Sequence, residues 1–207
     1  MVRNYLIVTA SYWGFTLVDG ALRMLVLFHF FRMGYTPFTL AFLFLLYEAA
    51  GIGANLAGGY FASRFGIPRM LAIGQMLQIA GLLMLSALDP GWGAVASVAW
   101  VVIAQGIAGV AKDLTKTASK SAIKATSAEG SGQLFRWVAW FTGSKNAMKG
   151  VGFFVGGLLV LIFSGLARAD RAALLTFQLS VTYGVVLNVL IYFATGLLLI
   201  GQMQLAR

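Results

Sequence analysis

Lysines occur in this chain at positions where a charge needs a reason. Lys112, Lys116, Lys120 and Lys124 recur every fourth residue, and Lys145 and Lys149 repeat that spacing further on. The chain is 60% hydrophobic and only 10% charged. Charge in such surroundings is costly unless it faces water or a ligand. On a helix turning 100° per residue and measured from Lys112, Lys116, Lys120, Asp113 and Lys124 fall at about 40°, 80°, 100° and 120°. Gln105 and Gly109 fall inside the same arc, and Ala111, Leu114, Ala118, Ala122 and Ala125 lie on the opposite face. Lys145, Lys149, Gly152 and Gly156 share a face of a second helix, with Thr142 beside them. Two such faces brought together make a basic cavity for an anion. Lysine supplies mobile point charges for phosphate, and arginine can grip it with two parallel bonds.

Other polar residues fall into the same pattern. Tyr12, Thr16, Asp19 and Arg23 lie within about 60° of one another on a helix that is otherwise apolar. Asp19 and Arg23, four apart, can pair, either as a structural ion pair or as a cavity-lining pair that responds to substrate or protons. Glu48 shares a face with Asn55 and reads either as a proton-binding site or as hydrogen-bonded structure. The candidate anion-binding cations are Arg23, Lys112, Lys116, Lys120, Lys145 and Lys149. Against them stand the acids Asp19, Glu48 and Asp113, candidates for coupling or gating. The cations exceed the acids by about three charges, a surplus that a phosphate with a second anionic group would offset.

The residue inventory bounds the chemistry. There is no Cys and a single His, His29, which is expected near the membrane interface. Disulfides, thiolate catalysis and zinc–cysteine sites are excluded. No Ser/His/Asp set, metal cluster or phosphate-cradling loop appears, so an enzyme, a metal and a cofactor are not expected. The net charge of +9 is read as span lysines and orientation signals, without a nucleic-acid partner.

The elements that must position these residues are membrane helices. Mean hydropathy is +0.87 over 207 residues, and several apolar runs reach the ~20 residues that span a bilayer core. The expected fold is all-α, a polytopic bundle with spans at roughly 4–31, 38–62, 70–88, 94–124, 133–166 and 172–201. Turns are expected at Gly34–Pro37, Ser63–Arg69, Asp89–Gly93, Ser127–Gly132 and Arg168–Arg171. The alternative for the fourth span is a basic amphipathic helix lying on the cytoplasmic membrane surface. Gly51 and Gly58 suit close helix packing. Gly143, Gly150 and Gly157 recur every seventh residue and suggest a seam for another helix, which leaves Gly152 facing the cavity. Arg64 and Arg69 without an acid place their loop in the cytoplasm, and six spans then put both termini there.

Gly59, Arg64, Gly66 and Arg69 resemble the loop signature between helices 2 and 3 of the major facilitator superfamily. Ser63 stands where that family carries an Asp. Gly152, Gly156 and Gly157 resemble its glycine-rich fifth helix, with Phe in place of the family's Pro. Four longer runs, starting at Asn4, Ser11, Ala111 and Gly143, resemble its organoarsenical efflux permease (ArsJ-type) branch. The resemblance implies one six-helix N-terminal half of a transporter fold of about twelve spans. It implies a multi-pass protein of the inner (plasma) membrane that exports an anionic organoarsenical of the 1-arseno-3-phosphoglycerate class and so confers arsenate resistance. Transport would proceed by alternating access around the lysine-rich midplane cavity, with Asp19, Glu48, Asp113, Arg64 and Arg69 in coupling or gating roles. The implied partners are the small anion, the lipid bilayer and a second six-helix half or a second copy. Other readings are export of a different phosphorylated organic anion, or a truncated, inactive or structural half-transporter.

Overall fold

The computed structural model describes residues 2–89, 91–126 and 132–166, together with 178, 179, 181, 182, 184 and 185. The fold is all-α. Five long helices follow one another: α1 Val2–Arg32, α2 Pro37–Phe65, α3 Ile67–Ser86, α4 Ala94–Thr126 and α5 Gln133–Leu166. The six described residues between 178 and 185 are helical as well and belong to a sixth helix. Val181 is buried in the core, and Gln178 donates to the Leu88 carbonyl at 3.0 Å. The rest of the 172–201 span lies outside the described residues, as do the Arg168–Arg171 loop and residues 127–131.

All five long helices are long and apolar enough to cross a membrane, which fits a membrane-embedded protein. The breaks between them have local causes. Gly34 and Gly66 adopt φ of 85° and 81°, a region open to glycine and closed to most side chains. Pro68 then sits in the first turn of α3, where its missing N–H leaves no bond unmade.

The contacts between helices set their directions. Gly51 faces Gly109 and Asp113, and Gly58 faces Thr117, so α2 and α4 run parallel. Gly74 meets Thr115 while Gly81 meets Ala104, so α3 runs antiparallel to α4. Tyr5 stacks near Trp137, Tyr12 near Phe141, and Ala21 touches Gly156, so α1 and α5 run parallel. The chain therefore passes up and down in regular alternation. Helix α4 lies along both α2 and α3, and α1 lies along α5; α4 and α5 touch far less. The alanine face of α4 is the packing face: Ala111, Leu114, Ala118 and Ala122 are all buried.

One expectation changes. The glycine seam of α5 is Gly152 and Gly156. A Cβ added at Gly152 would collide with the Leu17 carbonyl, and one at Gly156 would sit 2.6 Å from the Ala21 carbonyl oxygen. Gly143, Gly150 and Gly157 face open space. A seven-residue repeat marks a helix face but does not say what lies opposite it. His29, in the last turn of α1, is buried among its neighbours, with its ring edge-on to Phe30 at 5.2 Å.

Candidate functional site

Two arrangements of charge meet near the middle of the bundle. The first is a chain of alternating acids and bases contributed by three helices. On α1, Asp19 and Arg23 are one turn apart, with Arg23 Nε 3.8 Å from Asp19 Oδ2. Arg23 reaches across to Glu48 Oε1 on α2 at 2.8 Å. The other Glu48 oxygen accepts from Lys112 Nζ on α4 at 3.2 Å. Lys112 also lies 3.6 Å from Asp113 Oδ2, and Lys116 donates to Asp113 Oδ1 at 3.0 Å. Three carboxylates thus face three cations, and the set is neutral. Neutrality matters because an unpaired charge away from water costs several kcal/mol, on the order of the whole gain from a good pair.

Tyr47 holds this chain together. Its hydroxyl donates to Asp19 Oδ1 at 2.5 Å. Two cations lie over its ring: the Arg23 guanidinium carbon is 4.2 Å and Lys112 Nζ 4.3 Å from the ring centroid. The Tyr47 ring is fully buried, and its own carbonyl packs against Gly109, where any side chain would collide with it. The negative face of an aromatic ring attracts such cations, and the Glu48 carboxylate between them offsets their mutual repulsion.

The second arrangement is a cavity of about 150 Å³ between α1, α4 and α5. It lies where α4 and α5 diverge. Tyr12, Phe15, Thr16 and Asp19 line it from α1, Lys112 and Lys116 from α4, and Lys145, Asn146 and Lys149 from α5. Tyr12 stacks on Phe141 at 5.2 Å and so forms a rigid aromatic wall. Thr16 donates to the Tyr12 carbonyl at 2.7 Å. Asp19, Glu48 and Lys149 all fall near the middle of their candidate spans.

The four cavity lysines differ in their partners. Lys112 and Lys116 are engaged with Glu48 and Asp113. Lys145 and Lys149 have no ion-pair partner among the described residues, and Lys149 Nζ sits 5.6 Å from the Phe153 ring centroid. A chloride, a phosphate or another oxyanion would complete them.

The structure gathers most of the residues singled out by spacing and separates a few. Lys112, Lys116, Lys145, Lys149 and Asp19 line the cavity. Arg23, Glu48 and Asp113 stand behind it in the ion chain. Lys120 is exposed and does not line the cavity, and Lys124 is exposed as well. Arg64 and Arg69 are exposed at the α2–α3 turn, where Arg64 donates to the Tyr60 hydroxyl at 2.8 Å. Asn55 accepts from Thr117 of α4 at 3.0 Å. Tyr47, Phe15 and Asn146 were not singled out by their spacing. Tyr47 was detectable only indirectly, as a phenol next to Glu48 in an apolar run, where a buried Asp19 needs a donor.

Scanned against protein-family models the chain matches none, and no curated protein matches it.

Proposed function

We propose that this chain is a membrane transporter for a small multivalent oxyanion, which it holds at the midplane between α1, α4 and α5. The observation that carries this reading is the pair Lys145 and Lys149, which face the cavity from a membrane-length helix with no ion-pair partner among the described residues. Two unpaired ammonium groups at that depth are a large cost without a ligand. A phosphate oxyanion offers enough acceptor oxygens to bond both and to reach toward Lys112 and Lys116. Asn146 adds a polar contact that does not depend on charge. The Tyr12 and Phe15 rings give the organic part of a ligand an apolar wall.

The sequence resemblance supplies the substrate within this class: an organoarsenical phosphoester of the 1-arseno-3-phosphoglycerate type, exported from the cytoplasm across the inner membrane. The movement we propose is alternating access, in which helices rock around the fixed anion. Helix α1 packs on α5 through Leu17, Gly20 and Ala21 and enters the ion chain of α2 and α4 through Asp19 and Arg23, so it couples the two sides of the cavity. No chemical step on the substrate is required.

The test is efflux from vesicles. The 207-residue chain, reconstituted and preloaded with 3-phosphoglycerate as a stable surrogate, should release it saturably. Lys149→Gln should slow release at least tenfold, and a neutral sugar should not be carried. Release that is absent from the wild-type chain, or unchanged by Lys149→Gln, would refute the reading.

A further inference from the structure

Two of the three helices that line the cavity, α4 and α5, each present two lysines one turn apart, yet only the α4 pair is already engaged. Asp113 makes the difference. It bonds Lys116 at 3.0 Å and lies 3.6 Å from Lys112, whereas Lys145 and Lys149 have no carboxylate within ion-pair distance among the described residues, although Asp19 of α1 lines the same cavity. Asp113 does not line that cavity. It is buried on the α2 side of α4, in a slot that Gly51 leaves open: a Cβ at Gly51 would fall on Asp113 Oδ2. The ammonium groups of Lys112 and Lys116 therefore have two destinations on opposite sides. One is the Asp113 and Glu48 carboxylates, and the other is the cavity.

We infer that Asp113 determines specificity, acting as an internal carboxylate that holds Lys112 and Lys116 until an anion of higher charge draws them into the cavity. This rests on the proposed anion-carrying function and refines it. A monoanion can be satisfied by Lys145 and Lys149 alone. To recruit the lysines of α4 it would have to outcompete a buried carboxylate that touches both. A divalent oxyanion keeps enough charge and acceptor oxygens, after bonding the α5 lysines, to compete for the α4 pair. The cavity then selects by charge. Abundant monoanions such as chloride occupy it weakly, and phosphorylated compounds close it fully. Lys145 and Lys149 are the permanent anchors, and Lys112 and Lys116 engage only with the correct ligand.

The experiment measures binding of inorganic phosphate and of chloride to the purified 207-residue chain, at constant ionic strength and at a pH where phosphate is mostly divalent. Asp113→Asn should bind both anions more tightly, chloride more so, and the phosphate-to-chloride preference should fall about tenfold. An unchanged preference in a folded Asp113→Asn protein would overturn the inference. Should that variant fail to fold, a second comparison decides. Lys116 must give up a partner to reach the ligand and Lys145 need not, so Lys116→Gln should weaken phosphate binding less than Lys145→Gln. Equal losses would also overturn the role of Asp113, while leaving the cavity as the anion site. Wild-type phosphate binding in both Lys145→Gln and Lys149→Gln would instead reject the proposed function itself, and the inference with it.

Discussion

Tyr47 carries more of the site than its position in the chain suggests. Its ring carries both Arg23 and Lys112 and its hydroxyl donates to Asp19, so it joins α1, α2 and α4 through one side chain. Tyr47→Phe keeps the ring and both cation contacts but leaves Asp19 Oδ1 without that donor. Leaving a buried acceptor unsatisfied costs about 1–3 kcal/mol, so this variant should melt measurably below wild type in detergent. Tyr47→Leu removes the ring too and should melt lower still. Equal melting of wild type and Tyr47→Phe would show that the Tyr47–Asp19 bond contributes nothing to stability. At this scale the lysines were legible because the helical period alone puts Lys112, Lys116, Lys145 and Lys149 on single faces. Tyr47 was not, because its partners lie 28 residues back and on α4, and periodicity says nothing about contacts between helices.

One face of α5 changes character along its length. Lys145, Lys149, Gly152 and Gly156 share that face, and α1 lies opposite it throughout. Over the glycines α1 comes into backbone contact, and a Cβ on Gly20 would lie 2.8 Å from the Lys149 carbonyl oxygen. Over the lysine side chains a cavity opens. The glycines thus set the depth at which the lysines hang. Gly152→Ala should force α1 and α5 apart and cost about 1–3 kcal/mol as an overpacked contact. Gly150→Ala meets open space and should leave thermal stability within about 0.5 kcal/mol of wild type. Equal melting of the two variants would contradict this packing. The sequence showed both sets of glycines but could not tell which faced a helix, since that depends on where α1 docks. By contrast, the continuity of α4 past Ala111 was legible, because charges confined to one arc and alanines on the other only make sense on an unbroken helix.

Across the whole molecule, the alternating helix directions sort the charged ends. Arg64, Arg69, Lys124 and Arg136 all fall at one end of the bundle, and Arg32 and Asp89 at the other. Cytoplasmic loops carry the excess of Lys and Arg, so the first end is expected inside. The chain has no Cys of its own, so single cysteines report orientation cleanly. Cysteines at Thr36 and Gly91 should react with an impermeant reagent added outside intact cells, and one at Gly66 should react only after permeabilisation. The reverse pattern would invert the proposed direction of transport. The all-helical, apolar character and the five described long helices were legible from apolar runs and turn residues. The cavity's volume and the pairing of its charges were not, because the first depends on how α1, α4 and α5 dock and the second on how α1, α2 and α4 do.

The central claim is that Lys145 and Lys149 bind a multivalent anion, and calorimetric titration of the detergent-purified 207-residue chain with 3-phosphoglycerate tests it most directly. One charge-assisted contact is worth about 1.5–3 kcal/mol, roughly ten- to a hundred-fold in affinity. Lys124, exposed at the end of α4 and off the cavity, serves as the control. Wild type and Lys124→Gln should bind saturably, and Lys145→Gln and Lys149→Gln should each lose at least tenfold. Wild-type affinity in both cavity variants, or an equal weakening in all three, would contradict that claim.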